Sequence, residues 1–256
     1  MNVLEWPVFL QSKSTFPGPV ALTIGVFDGV HRGHECLIRD VCSQKGLSPW
    51  VITFHPNPGR VLRTEEYPGD IMTRRQKVKR LGDLGLHTTV MIDFSLEFGK
   101  LRGTEFLSLI QETVTVQYIA VGENFHCGYN MDTSAWRMKE LLEPKEIKVQ
   151  VLPSVQRGGG VVSSTRIRNA ILEGDLGTAA DLLGHPFELD LMDLPVYTEE
   201  GRSILSRRTV TQVLPRHGTF SVEYGSGDER RKGILEIGEE FLSWQSNGAV
   251  DAITFT

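Results

Sequence analysis

GVFDGVHRGH, residues Gly25 to His34, is the stretch that decides how this chain is read. It follows the apolar run Val20-Ala21-Leu22-Thr23-Ile24 and precedes a helical pattern with Leu37, Ile38 and Val41 on one side. The segment therefore predicts a strand, a glycine-rich turn, and a helix whose first turn carries His31 and His34. Side chains three apart share a helix face, so both imidazoles converge near the helix N-terminus. Free N–H groups and the positive end of the helix dipole favour anions there. Gly25, Gly29 and Gly33 permit positive φ and close backbone approach, which a loop around phosphates requires. A single histidine at a helix start is ordinarily a cap or a surface residue. The pair, in this strand-turn-helix setting, reads as an anion site for phosphoryl chemistry.

The 256 residues suit one large domain, or a medium domain and a small one. An apolar share of 40% and a charged share of 23% are those of an ordinary globular protein. The formal charge of -5 argues against a nucleic-acid groove as the main business. The basic residues Arg74, Arg75, Lys77, Lys79 and Arg80 read most simply as the solvated face of a helix. Cys36, Cys42 and Cys127 are odd in number and form no C-x-x-C pair, which suits a reducing compartment. The start, MNVLEWPVFLQSK, lacks the basic and apolar regions of a signal peptide, and no later stretch is apolar enough to span a bilayer. A cytoplasmic protein without nucleic-acid or membrane partners is expected. A monomer is compatible with the sequence, which leaves the oligomeric state open.

Up to Pro186 short β-branched runs, at 20–25, 50–54, 88–93, 117–121 and 147–152, alternate with helical stretches near 33–45, 73–84, 103–112 and 134–142. Such alternation predicts a Rossmann-like, doubly wound parallel sheet covered by helices. Two more helices follow, one from the Ser163-Ser164 cap to Gly174 and one from Asp175 to Gly184. Beyond Pro186 the runs at 208–213, 218–224, 231–237, 240–245 and 249–256 read as strands, with turn material at Gly225-Ser226-Gly227-Asp228. The expected division is a first domain over 1–186 and a small antiparallel barrel or meander over 187–256.

Ligands of an open α/β sheet bind beyond the C-terminal strand ends, at the switch point. His31 and His34 follow the first run, Thr53-Phe54-His55-Pro56-Asn57-Pro58 the second, and Gly122-Glu123-Asn124-Phe125 the fourth. Ser163-Ser164-Thr165-Arg166-Ile167-Arg168 opens a late helix with hydroxyls, N–H groups and guanidinium forks suited to phosphate. Taken alone, that run reads equally well as a capped helix with solvated arginines. The two prolines after Phe54 either end a strand or wall a flat aromatic ligand, and Asn124 is a loop residue or a partner for a heterocycle or phosphate. The remaining histidines, at 55, 87, 126, 185 and 217, have no metal-like spacing. Walker A, G-x-G-x-x-G, H-E-x-x-H and G-x-S-x-G sequences are absent. Without a carboxylate cluster, magnesium is expected on substrate phosphates rather than in a protein cage.

GVFDGVHRGH, TFHPNP, VGENF and VSSTRIR, in this order and spacing, resemble the adenylyltransferase module of the prokaryotic bifunctional FAD synthetases, which are H-x-G-H nucleotidyltransferases. The similarity covers most of 15–187, including LEGDLGTAADLLGHPF. It implies the reaction FMN + ATP → FAD + pyrophosphate, with Mg2+ carried on ATP. It assigns ATP contacts to Gly25, Phe27, Asp28, His31, His34, Ser164, Thr165 and Arg168. Flavin contacts fall on Phe54, Pro56, Pro58 and Asn124, and the catalytic set is His31, His34, Asn124 and Arg168. Cys127 stands where the family usually has an aromatic, which changes the flavin side locally.

The family's kinase signature, G-F-P-T-A-N, has no counterpart in GRSILSRRTVTQVLPRHGTFSVEY, so the tail resembles a shortened, degenerate riboflavin kinase barrel. The expected function is FAD synthesis without riboflavin kinase activity. The alternatives are a bifunctional kinase/synthetase, a nucleotidyltransferase with another acceptor, and a non-catalytic flavin-nucleotide-binding regulatory protein.

Overall fold

The computed structural model describes residues 1–13, 16–227, 229–245 and 248–256. Asp228, the last residue of the expected turn at 225–228, therefore lies outside the described residues. By internal contacts the chain forms two compact units, Met1–Tyr67 with Lys77–Val161 and Pro68–Gln76 with Val162–Thr256.

The chain runs through β1 (Asn2–Glu5), α1 (Trp6–Gln11), β2 (Val20–Ile24), α2 (Arg32–Cys42), β3 (Ser48–Phe54), α3 (Pro58–Leu62), α4 (Arg74–Asp83) and β4 (Thr88–Ile92). It continues through α5 (Gly103–Thr113), β5 (Val116–Gly122), the short strands β6 (His126–Cys127) and β7 (Thr133–Ser134), α6 (Ala135–Leu142) and β8 (Lys148–Leu152). A small hairpin, β9 (Gln156–Arg157) and β10 (Gly160–Val161), ends the first unit.

The described residues of this unit form a six-stranded parallel sheet in the order β1-β4-β3-β2-β5-β8. Every residue of β2 and β4 is buried, which is why these strands read as continuous apolar or β-branched runs rather than alternating ones. The chain steps from β2 through β3 to β4 in one direction, then returns to β5 and β8 on the other side. The switch point therefore lies between β2 and β5, where a crevice opens beyond the strand ends. One face packs Leu22, Ile24 and Ile52 against Phe106 and Ile110 of α5 and Met138 of α6. Burying each such side chain contributes about 1.5–3 kcal/mol. The sixth strand, β1, escaped the sequence because it is a four-residue edge strand, mostly exposed, and gives no apolar run.

The second unit contains α7 (Ser164–Glu173) and α8 (Leu176–Leu183). Ser163 and Asp175 cap their starts, and Gly174 and Gly184 end them in the left-handed conformation, as the sequence predicts. Then follow β11 (Glu188–Asp190), β12 (Tyr197–Glu199), β13 (Arg202–Ser206), β14 (Gly218–Ser226), β15 (Glu229–Ile237), β16 (Phe241–Gln245) and β17 (Ala252–Phe255). The described residues form an antiparallel seven-stranded sheet, β11-β17-β14-β15-β16-β13-β12.

The run 208–213, expected as a strand, is not one. Arg207–Thr209 make a short 3-10 turn, and Gln212 forms only an isolated bridge with Asp70. Local alternation of Thr209, Thr211 and Val213 mimics a strand, but tertiary contacts override it. The Arg207 guanidinium donates to the carbonyls of Pro215 at 2.7 Å and Arg216 at 2.6 Å, which folds this stretch back on itself.

Candidate active site

The turn after β2 departs from extended backbone at Phe27 and Val30, which take φ of 51° and 37° without being glycine. Non-glycine residues in this region are uncommon and strained, a β-branched one especially. Both side chains are fully buried, so packing holds the turn. His31 then caps α2 through its ring: Nδ1 accepts from the backbone N–H of His34 at 3.3 Å. An accepting Nδ1 places the proton of neutral His31 on Nε2. The two imidazoles stack with centroids 3.6 Å apart and planes 13° from parallel. Phe27 packs against His34 at 4.8 Å.

The glycine inside H-x-G-H now has a reason. A Cβ at residue 33 would come within 3.2 Å of Cε1 and Nδ1 of His31, so the capping ring would have to give by a few tenths of an ångström. Burial pushes the His31 imidazole down to about 4. Burial, then the neighbouring His31 and the Lys77 ammonium, hold His34 well below the ordinary histidine range. Both rings are neutral donors near neutral pH. The Nδ1 atom of His34 is buried without a hydrogen-bond partner, a condition that native structures rarely leave without a role.

Lys77 corrects the reading of the basic run as a solvated helix face. Its side chain is 3% exposed, and its ammonium donates to the carbonyls of Val26 at 2.9 Å and Phe54 at 3.0 Å. Arg75 is paired with Asp190 inside the second unit, and Arg80 binds Glu35 of α2 at 2.6 Å. Arg75 and Lys79 are exposed as expected, Lys79 pairing with Asp83, whereas Arg80 is half-buried. Asp28 is buried and accepts from Asn57 Nδ2 at 3.4 Å, while Asn57 Oδ1 caps α3 by accepting from Gly59 N at 2.9 Å. Asn57 thereby links the His-Pro-Asn-Pro loop to the histidine turn. The His55–Pro56 bond in that loop is cis.

A cavity of about 610 Å³ opens within the first unit, beside the end of β2 at Gly25 and Val26. Phe54, Pro58 and Asn124, all singled out from the sequence, line it; Pro56 is not among its lining residues. Phe94, Phe98, Tyr129 and Met131 also line it and were missed, because they come from separate loops without a local motif. Phe54, Phe94 and Phe98 meet edge-on at 6.0 to 6.2 Å, forming an aromatic wall. Cys127 lies in the lining too; burial and then Asp132 push its thiol up to about 12, so it stays protonated. Asn124 Nδ2 donates to Ser154 Oγ at 3.0 Å.

Ser164, Thr165 and Arg168 belong to the second unit. Ser163, not Ser164, supplies the capping oxygen of α7, accepting from Arg166 N at 3.3 Å. Thr165 is exposed on the first turn of α7, and Arg168 Nε donates to the carbonyl of Gly69 at 3.0 Å.

The family model described as FAD synthetase matches residues 13–166. The chain belongs to the FAD synthetase family. It is 30% identical over 227 residues to the bifunctional riboflavin kinase/FMN adenylyltransferase of Escherichia coli K12, covering 85% of this chain and 72% of the relative. It is 27% identical over 224 residues to the FAD synthetase of Listeria monocytogenes, covering 85% of this chain and 86% of that protein. A crystal structure of a macrolide-efflux protein from Streptococcus pneumoniae matches with a TM-score of 0.82 at 22% identity, spanning 100% of this chain and 89% of that one. At that identity the match shows a shared fold alone. The family's members are nucleotidyltransferases, so the chain is an enzyme with ATP and FMN as substrates. No helix among the described residues is long and apolar enough to cross a membrane.

Proposed function

We propose that this chain is a monofunctional FAD synthetase, transferring AMP from MgATP to FMN without riboflavin kinase activity. The carrying observation is the stacked histidine pair at the start of α2, in the same unit as the aromatic-walled cavity. A phosphate oxygen of FMN attacks the α-phosphorus of ATP. The new P–O bond forms as the bond from the α-phosphorus to the bridging oxygen breaks, and pyrophosphate leaves with that electron pair. FMN phosphate is largely dianionic near neutral pH, so catalysis reduces to positioning and to stabilising charge on the phosphoryl oxygens.

His31 Nε2–H and the His34 imidazole are the donors to the α- and β-phosphates. Gly25, Phe27 and Asp28 shape the ATP turn, and Ser164, Thr165 and Arg168 act on the leaving pyrophosphate. Phe54, Pro56, Pro58 and Asn124 serve the flavin. The adenylyltransferase module is assigned to 1–186 and the kinase-like tail to 187–256. A cytoplasmic monomer without nucleic-acid or membrane partners fits this chemistry.

Absence of kinase activity is supported by what the tail's polar groups do. Gln212 is buried, its amide donating to the carbonyls of Ile71 and Glu188 and accepting from Asp190 N. Arg207 is likewise spent on backbone carbonyls. The FAD synthetase relative from Listeria monocytogenes is also matched over more of its length than the bifunctional one from Escherichia coli. Purified protein given FMN, ATP and magnesium should form FAD, while riboflavin under the same conditions should yield neither FMN nor FAD. FMN accumulating from riboflavin would establish the bifunctional alternative.

A further inference from the structure

Beyond Gly25, whose N–H donates to Ile52 O at 3.1 Å, the backbone ladder between β2 and β3 gives way to side-chain links. Two donors take over at the carbonyl of Val26: Thr53 Oγ1 at 2.9 Å and the Lys77 ammonium at 2.9 Å. Lys77 also holds the carbonyl of Phe54 at 3.0 Å. These two carbonyls belong to different walls. Val26 leads directly into the strained Phe27 that packs on His34, and Phe54 anchors the aromatic wall. Both residues line the cavity.

We propose that Lys77 is a positioning residue for adenylyl transfer, its buried ammonium fixing the separation between the histidine turn and the flavin-side wall. The inference rests on the function proposed above. Several features of the site require such a clamp. In-line attack tolerates little error in the distance between acceptor and α-phosphorus. Beyond the last paired residues of β2 and β3, Ile24 and Ile52, no backbone ladder sets the spacing of the two strands. A buried ammonium is costly unless its donors are taken up, and here the carbonyls of Val26 and Phe54 accept from it. The position also explains the placement of a lysine in α4. Helix α4 is separated from both strand ends by sequence, 51 residues from Val26 and 23 from Phe54, yet its one buried cation meets both. The charge has a secondary effect, since it contributes to keeping His34 neutral.

The test is steady-state FAD formation, with FMN and ATP varied separately, by wild type, Lys77→Met, Lys77→Arg and Thr53→Val. Lys77→Met should lower kcat about 100-fold while the KM for FMN changes less than about threefold, and Lys77→Arg should recover kcat to within about tenfold of wild type by restoring a charged donor. Either of two results would overturn the proposal: Lys77→Met with kcat within about threefold of wild type, or Lys77→Met and Lys77→Arg equally impaired, which marks lost packing instead. If Lys77→Met does not fold, Thr53→Val decides. It removes the other side-chain donor to Val26 with little change of shape, and should lower kcat by about three- to tenfold at unchanged KM; an unchanged kcat sinks the clamp. Wild-type protein is the control for the underlying reading. If wild type forms no FAD, the assigned function fails; if it turns over and the variants match it, only the role of Lys77 fails.

Discussion

The histidine turn and the tail stretch 207–216 treat their polar groups in opposite ways. At the turn the backbone is strained at Phe27 and Val30, two imidazoles are stacked face to face, and a buried ring nitrogen of His34 has no hydrogen-bond partner. In the tail, Gln212 and Arg207 spend their donors on neighbouring carbonyls. A site that must bind something keeps polar capacity in reserve and tolerates strain to aim it. A stretch that only holds a fold together uses its polar groups internally. The difference makes the two regions separable by mutation, since one should lose rate and the other stability.

The sharpest division should come from His34→Ala. Loss of a preorganised donor to developing charge costs about 3–4 kcal/mol, or roughly 10²–10³ in kcat, with FMN binding nearly unchanged. Near wild-type turnover would erase the contrast. A second effect, of about 3 kcal/mol, concerns pH. The His31 imidazole falls from 6.5 to about 4 on folding, so the unfolded chain binds the extra proton in that interval. The associated stability is complete above pH 6.5 and is lost as pH falls towards 4. Denaturant unfolding at pH 7 and pH 4.5 should show that loss in wild type and a smaller one in His31→Ala.

The tail should answer in the other currency. Gln212→Ala strands a buried amide and carbonyls, at about 1–3 kcal/mol. Its thermal midpoint should drop while kcat per folded molecule stays near wild type; a selective loss of kcat would show that the tail carries chemistry. The smallest effect expected is for Arg168→Ala. It should raise the KM for ATP about tenfold, equivalent to roughly 1.4 kcal/mol, with lysine a poor replacement for a planar fork. An altered KM for FMN alone would reverse the two substrate sides.

What was legible in the sequence was local. The strand, turn and helix around His31 could be read because glycines, apolar runs and cap residues lie within about twenty positions of each other. The same holds for α7 and α8, whose caps match the residues expected. Lys77 was illegible for the complementary reason. Four other basic residues surround it, and only partners far away in the chain make it differ from them. Phe94, Phe98, Tyr129 and Met131 come from loops that carry no periodicity, so nothing local marks them as one wall. The strand expected at 208–213 failed because an alternating Thr/Val pattern states what a segment tolerates, and Gln212 pairs with Asp70 instead.

That pairing has a practical consequence for anyone who would dissect this protein with scissors. Gly69 lies against the backbone of Gln212 and Val213, where an added Cβ would come within 2.6 Å of Val213 N, and Asp70 exchanges backbone hydrogen bonds with Thr211 and Val213. Nine residues from the first third of the chain are thus stitched into a unit that otherwise begins at Val162. The second unit is not a sequential appendage, and no single cut yields it whole. A fragment ending at Pro186 would carry Pro68–Gln76 away from the strands that complete it, leaving raw edges on both pieces. Complementation of two co-expressed fragments, rather than truncation, is the appropriate way to take this molecule apart.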